Sequence, residues 1–174
     1  MLIRPADAGD IEAIAQLHCD SWLRTYRGMY SDRFLDGDLI GNRRTMWTDR
    51  MENPDPRQHV VVAMDRDQIA GFVAMYGDEE PEWGSLIDNL HTSHAYRRRG
   101  VATELMRKAG QWLGEHYGDR AVFLWVIEAN GSARAFYDRI GGTNARVEEH
   151  QFDPWATGTS CRYVWPSPAL LAAL

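Results

Sequence analysis

The sequence predicts a mixed α/β (α+β) fold, a central mixed sheet with helices on both faces. Two observations predict it. Elements follow in the order strand, two helices, three strands, helix, strand, helix, two strands, so a strand meander is joined to a strand-helix-strand crossover, which gives both antiparallel and parallel neighbours. The run Ala121-Val122-Phe123-Leu124-Trp125-Val126-Ile127 is apolar throughout, as a central strand covered on both faces requires.

Met1 to Arg4 reads as a short strand, and Asp7 caps a helix whose residues Ile11, Ile14, Ala15, His18 and Trp22 keep helical spacing up to Tyr26-Arg27-Gly28. A second helical region lies between Ser31 and Met51, burying Phe34, Leu35, Leu39, Ile40, Met46 and Trp47, and breaks at Asn53-Pro54-Asp55-Pro56. His59 to Met64 and Ile69 to Tyr76 form a hairpin across Asp65-Arg66-Asp67-Gln68, and Ser85 to Thr92 is the third strand. The helix from Val101 presents Leu105, Ala109, Trp112 and Leu113 on one face and stops at Tyr117-Gly118. A short helix from Asn130 to Ile140 ends at Gly141-Gly142. Strands over Ala145 to Phe152 and Ser160 to Trp165 close the fold before Pro166-Ser167-Pro168.

With 174 residues, 44% hydrophobic and 25% charged, the chain is expected to form one domain over 1–174 with one substantial core. A net charge of -6 argues against general nucleic-acid binding, which needs a cationic surface. No apolar stretch approaches the roughly 20 residues that cross a bilayer. The N-terminal Met1-Leu2-Ile3-Arg4-Pro5 lacks a signal-peptide core, so a cytoplasmic protein without membrane partners is expected. Cys19 and Cys161 show no metal-ligand spacing, and inert buried thiols are expected, with no metal implied.

Against this acidic background stands a basic turn, Tyr96-Arg97-Arg98-Arg99-Gly100-Val101-Ala102-Thr103. A helix N-terminus offers unpaired N–H donors and the positive end of its dipole, and small residues let backbone reach an anion. A phosphorylated ligand fits such a turn, as does a merely solvated cap. In Asn130-x-x-Ala133-x-x-Phe136-Tyr137, Asn130 sits at an N-cap, and Ala133, Phe136, Tyr137 and Ile140 form a helical stripe.

The pair of motifs, Arg97-x-x-Gly100-x-Ala102 and Asn130-x-x-Ala133-x-x-Phe136-Tyr137, with this element order, resembles the GNAT superfamily of N-acetyltransferases over about residues 1 to 166, leaving a short C-terminal tail. The resemblance implies acetyl-CoA as co-substrate, with its pyrophosphate on Arg97, Arg98, Arg99, Gly100, Val101, Ala102 and Thr103. One or two of these arginines are expected to point into solvent. The pantetheine arm is expected along Leu90, His91 and Thr92, in a gap between this strand and Ala121 to Ile127, with the Leu90 amide polarising the thioester. Asn130 is expected to bond the CoA arm, and Tyr137 to act as general acid, because a phenol of pKa about 10 can reprotonate a thiolate. Asp88 is the favoured base for the amine, with His91, Glu128 or a water relay as alternatives. Trp22, Tyr26 and Trp83 are candidates for an acceptor wall or for core. The run Asp78-Glu79-Glu80-Pro81-Glu82 reads as a solvated loop that could also attract a cation. The implied reaction is transfer to a primary amine, with a small molecule first, a protein N-terminus or lysine as the alternative, and a non-catalytic acyl-CoA sensor as another. A homodimer through the aromatic strands Phe152 to Trp165 is a further expectation.

Overall fold

The computed structural model describes every residue except Pro154 and Trp155, with side chains described outside 150–157. Seven strands, β1 (Leu2–Pro5), β2 (Gln58–Asp65), β3 (Gln68–Glu80), β4 (Gly84–Thr92), β5 (Val122–Ile127), β6 (Thr143–Asp153) and β7 (Ala156–Trp165), form one sheet in the order β1-β2-β3-β4-β5-β7-β6. The helices are α1 (Ile11–Thr25), α2 (Asp32–Leu35), α3 (Leu39–Glu52), α4 (Val101–Tyr117), α5 (Gly131–Arg139) and α6 (Pro168–Ala172). β1 pairs with β2 antiparallel and β4 with β5 parallel, so the sheet is mixed as the element order requires. The chain folds as two compact units, Met1–Ala74 with Asn89–Leu105 and Met75–Asp88 with Met106–Leu174.

In the first unit, Asp7 caps as expected, but through a 3-10 turn, Ala8–Asp10, that precedes α1. Its side chain accepts from Gly9 N–H, and Asp10 accepts from Asp7 N–H in return, a reciprocal capping box. Arg4 locks Asp10 with bonds of 2.7 and 2.9 Å. The core joins Ile14, Ala15 and Leu17 of α1 to Trp47 of α3 and to Val60, Val62, Phe72 and Ala74. The first turn of α4 reaches β3 at Gly71, where a Cβ would stand 2.8 Å from His91 O and about as close to Leu105 and Val101. Only glycine permits that approach. The region between Ser31 and Met51 divides into α2, capped by Ser31, and α3, capped by Asp38.

In the second unit, β5 and β7 pair antiparallel from Val122↔Trp165 to Ile127↔Ser160. Tyr163 and Trp165 are buried, and the Trp165 indole donates to Ile140 O at 3.0 Å. Two features differ from the sequence reading. β3 runs on through Glu80, because Asp78 pairs with Arg120 at 3.1 Å and Glu80 with Arg162 at 2.7 Å. The segment after Trp165 forms α6: Ser167 caps it, Pro168 starts it, and Leu171 is fully buried. Of the expected interface segment Phe152 to Trp165, Pro154 and Trp155 lie outside the described residues, as do side chains up to 157. Among the described residues, no helix is long and apolar enough to cross a membrane.

Candidate active site

The basic turn leaves β4 through a 3-10 turn, His94–Tyr96. Ser93 N–H donates to Ala70 O at 2.9 Å, and Tyr96 OH donates to Asp65 at 3.0 Å, which fastens the turn to the β2–β3 hairpin. The backbone then enters the left-handed region at Arg98 (φ 60°) and Gly100 (φ 80°), a conformation that costs a non-glycine residue about 1–2 kcal/mol. A side chain at Gly100 would meet open space, so the glycine is required by backbone conformation and keeps the approach to α4 clear. Glu104 N–H makes the first bond of the α4 ladder, to Gly100 O at 2.9 Å, so the amides of Val101, Ala102 and Thr103 precede it. Arg97, Arg98 and Arg99 are all exposed. More of the arginine run faces water than expected, with the Arg99 guanidinium 5.5 Å from the Tyr96 ring.

Upstream of the turn, Leu90, His91 and Thr92 are partly buried at the end of β4. His91 turns toward α1. Its Nδ1 lies 2.9 Å from Ser21 Oγ, and its ring packs 4.6 Å from that of His18 and 5.3 Å from Phe72. His18 is 1% exposed and accepts from the Trp47 indole at 3.0 Å. Burial, with the Arg43 charge added, pushes His91 down to about 3. Burial, then His91, Arg43 and Arg50, lower His18 as well. An imidazole so weakly basic is neutral at physiological pH and ill suited to deprotonate an ammonium.

The same unit holds the aromatic positions expected as acceptor wall or core. Trp22 meets Tyr26 at 5.0 Å and Tyr30 at 4.7 Å, and buried Arg43 lies 4.3 Å over the Trp22 ring. Burial pushes the Tyr26 phenol up. Ser21, Arg43 and the His18–Trp47 pairing were not singled out from sequence. Ser21 stands three residues after His18 on α1, so the shared helical face was the available signal.

In the second unit, Asn130 is buried and caps α5: its Oδ1 accepts from Ala133 N–H at 3.2 Å and from Ser132 OH at 3.1 Å. Tyr137 is 8% exposed, its ring 5.5 Å from Tyr163 and 6.1 Å from Trp165. The ring is therefore a core member, whatever its hydroxyl does. Asp88 on β4 and Glu128 after β5 are exposed, and Glu128 O accepts from Arg134 at 3.2 Å. The paired stretch of β4 and β5 comprises Ser85↔Val122 and Leu86↔Phe123. Trp83 stacks 4.5 Å from the buried Arg162 guanidinium, which also faces Trp125 at 4.2 Å and Phe123 at 4.8 Å. Glu80 neutralises Arg162, and Asp78 is spent on Arg120, so these two acids of the run hold the fold rather than stand free. Cys19 and Cys161 are both buried, and among the described residues no three His, Cys, Asp or Glu side chains gather as metal ligands.

The family model of the acetyltransferase (GNAT) family matches residues 12–142. The uncharacterized N-acetyltransferase YuaI of Bacillus subtilis (strain 168) is 28% identical over 179 aligned positions, 99% of this chain and 96% of that protein. PaiA N-acetyltransferase from Thermoplasma acidophilum, solved in complex with coenzyme A, shares the fold with a TM-score of 0.70 at 16% identity over 94% of this chain and 98% of that one. Arabidopsis thaliana NAA60, solved with a bisubstrate analogue, gives 0.69 at 19% identity over 94% and 96%. With both sequence motifs on the helices that the resemblance requires and a family match across most of its length, the chain belongs to the GNAT family and is an acetyl-CoA-dependent N-acetyltransferase.

Proposed function

We propose that this enzyme passes the acetyl group of acetyl-CoA directly to a primary amine of a small molecule. The α4 turn carries this reading: Gly100 at φ 80° with open space beside it, three exposed arginines, and first-turn amides ahead of the helical ladder. Pyrophosphate oxygens suit those amides, with Arg97 to Arg99 supplying charge. The pantetheine arm runs along Leu90, His91 and Thr92, beyond the Leu86↔Phe123 pair. Asn130 spends its Oδ1 on the cap, which leaves its amide N–H groups for the arm.

The amine nitrogen attacks the thioester carbonyl, and the Leu90 amide takes the developing oxyanion. Collapse breaks the C–S bond, and Tyr137 gives its proton to the departing thiolate and regains one from solvent. The proton shed by the amine goes to Asp88, directly or through water. His91, neutral and weakly basic, is the poorer base for that step. The enzyme works in the cytoplasm without a metal, and two copies pair through the C-terminal strands.

A panel of amines offered with acetyl-CoA, followed by thiol release and product mass, tests the reading. Stoichiometric acetylation of one class of small amine is expected. Acetyl-CoA binding without release from any amine would make the protein a sensor, and acetylation confined to polypeptides would move the acceptor to protein N-termini or lysines.

A further inference from the structure

We infer that His91 selects the acceptor: its Nε2–H, aimed by Ser21, donates to a carbonyl oxygen, so the acceptor is an α-amino carbonyl compound, an amino acid or its amide, rather than a diamine or polyamine. This rests on the transfer reaction proposed above. The argument begins with the proton on each ring. An indole nitrogen only donates, so the bond from Trp47 fixes His18 Nδ1 as acceptor and places the His18 proton on Nε2. That nitrogen is sealed and has no partner among the described residues. A second proton on His18 would therefore put an unpaired charge in a closed aromatic site beside Arg43. His18 stays neutral, and the His91 ring packs against a neutral neighbour at 4.6 Å.

Ser21 decides the proton on His91. Their 2.9 Å bond is the hydroxyl's bond among the described residues. We take the hydroxyl as the donor in that bond. If the hydroxyl donates, its proton is satisfied and the imidazole proton moves to Nε2. His91 Nε2 has no protein partner among the described residues, and it is not among the sealed nitrogens. The outstanding donor thus sits where a ligand can reach it, one residue after the Leu90 amide.

The surroundings favour an oxygen there. Arg43, 4.3 Å over Trp22, adds a buried positive charge whose field reaches His91. A cleft of about 70 Å³ opens at Ser21 and Thr92, the chain neighbour of His91, and Arg24 and Asp20 also line it. A polyamine brings further cations and no oxygen to this wall. An α-amino carbonyl compound brings an oxygen three bonds from the reacting nitrogen, short enough to stay beside it.

The test compares kcat/KM for glycinamide, alaninamide and free L-alanine with that for propylamine, putrescine and spermidine, by thiol release from acetyl-CoA. The α-amino carbonyl amines should lead by about tenfold or more, the amide and the free acid separating a neutral carbonyl from a carboxylate. Ser21→Ala and His91→Leu should each cut the glycinamide-to-propylamine ratio about tenfold, and His91→Gln, which keeps an N–H, should restore part of it. A merely structural role would lower both amines together. Imidazole 15N shifts at pH 7 should show Nε2–H for both histidines. Equal use of spermidine, an unchanged ratio in Ser21→Ala, or an Nδ1–H signal from His91 would overturn the inference. No acceptor-dependent release from any amine, with acetyl-CoA still bound in calorimetry, would instead overturn the transfer reaction and this inference with it.

Discussion

The two helices that carry the family motifs begin in opposite ways. α5 closes its own first turn, because Asn130 Oδ1 takes the Ala133 N–H and the Ser132 hydroxyl. α4 begins from Gly100, a residue without a side chain, at φ 80° and in the open. A helix start satisfied from within is a structural joint, and one entered through glycine keeps its donors for something else. The proposed function draws on this contrast: it gives α4 a backbone role at its open start and α5 a side-chain role through Tyr137, seven residues, or about two turns, beyond the Asn130 cap.

Three substitutions test that contrast. Gly100→Glu places bulk and negative charge in front of the α4 amides and should weaken acetyl-CoA binding by more than about 100-fold in calorimetry, with the far-UV circular dichroism kept, although the positive φ costs about 1–2 kcal/mol of stability. Binding retained there would put the pyrophosphate elsewhere. Tyr137→Phe keeps the ring in its place against Tyr163 and Trp165 and should lower kcat about a hundredfold while acetyl-CoA affinity holds. An unchanged kcat would reduce Tyr137 to packing. The smallest effect belongs to Asn130→Ala, which should cost about 1 kcal/mol in urea unfolding and raise the KM for acetyl-CoA about threefold. A stability loss without any change in KM would confine Asn130 to capping.

Much of this contrast was legible in the sequence, since glycine, asparagine and the arginine run announce helix starts locally. The elements followed from the same local chemistry: Asp7 does cap, Gly118 and Gly141 sit at positive φ where helices stop, and Ala121 to Ile127 contains the central strand. What was missed depends on partners distant in sequence. Glu80 extends β3 because Arg162 waits 82 positions away. Arg43 and Arg162 are buried, and guanidinium groups in a sequence read as surface until aromatic rings are found around them. Ser167-Pro168 was read as an ending, although a serine before proline is equally a helix cap, and Leu171 buried behind it settles which. In the candidate site, the motif positions could be named in advance, but the ring of His91 could not be oriented before Ser21 and His18 were seen beside it.

That histidine pair also makes the protein a reporter of acidity in its surroundings. An unfolded chain takes up a proton on each imidazole near pH 6.5, whereas folded His91 waits until about 3. Between those values the unfolded state holds more protons, so stability drops as pH falls, by up to about 1.4 kcal/mol per unit from His91 alone. Denaturation midpoints at pH 7.5, 6 and 5 should decline in that order, and His91→Leu should flatten the decline. Above pH 7 the contribution is constant.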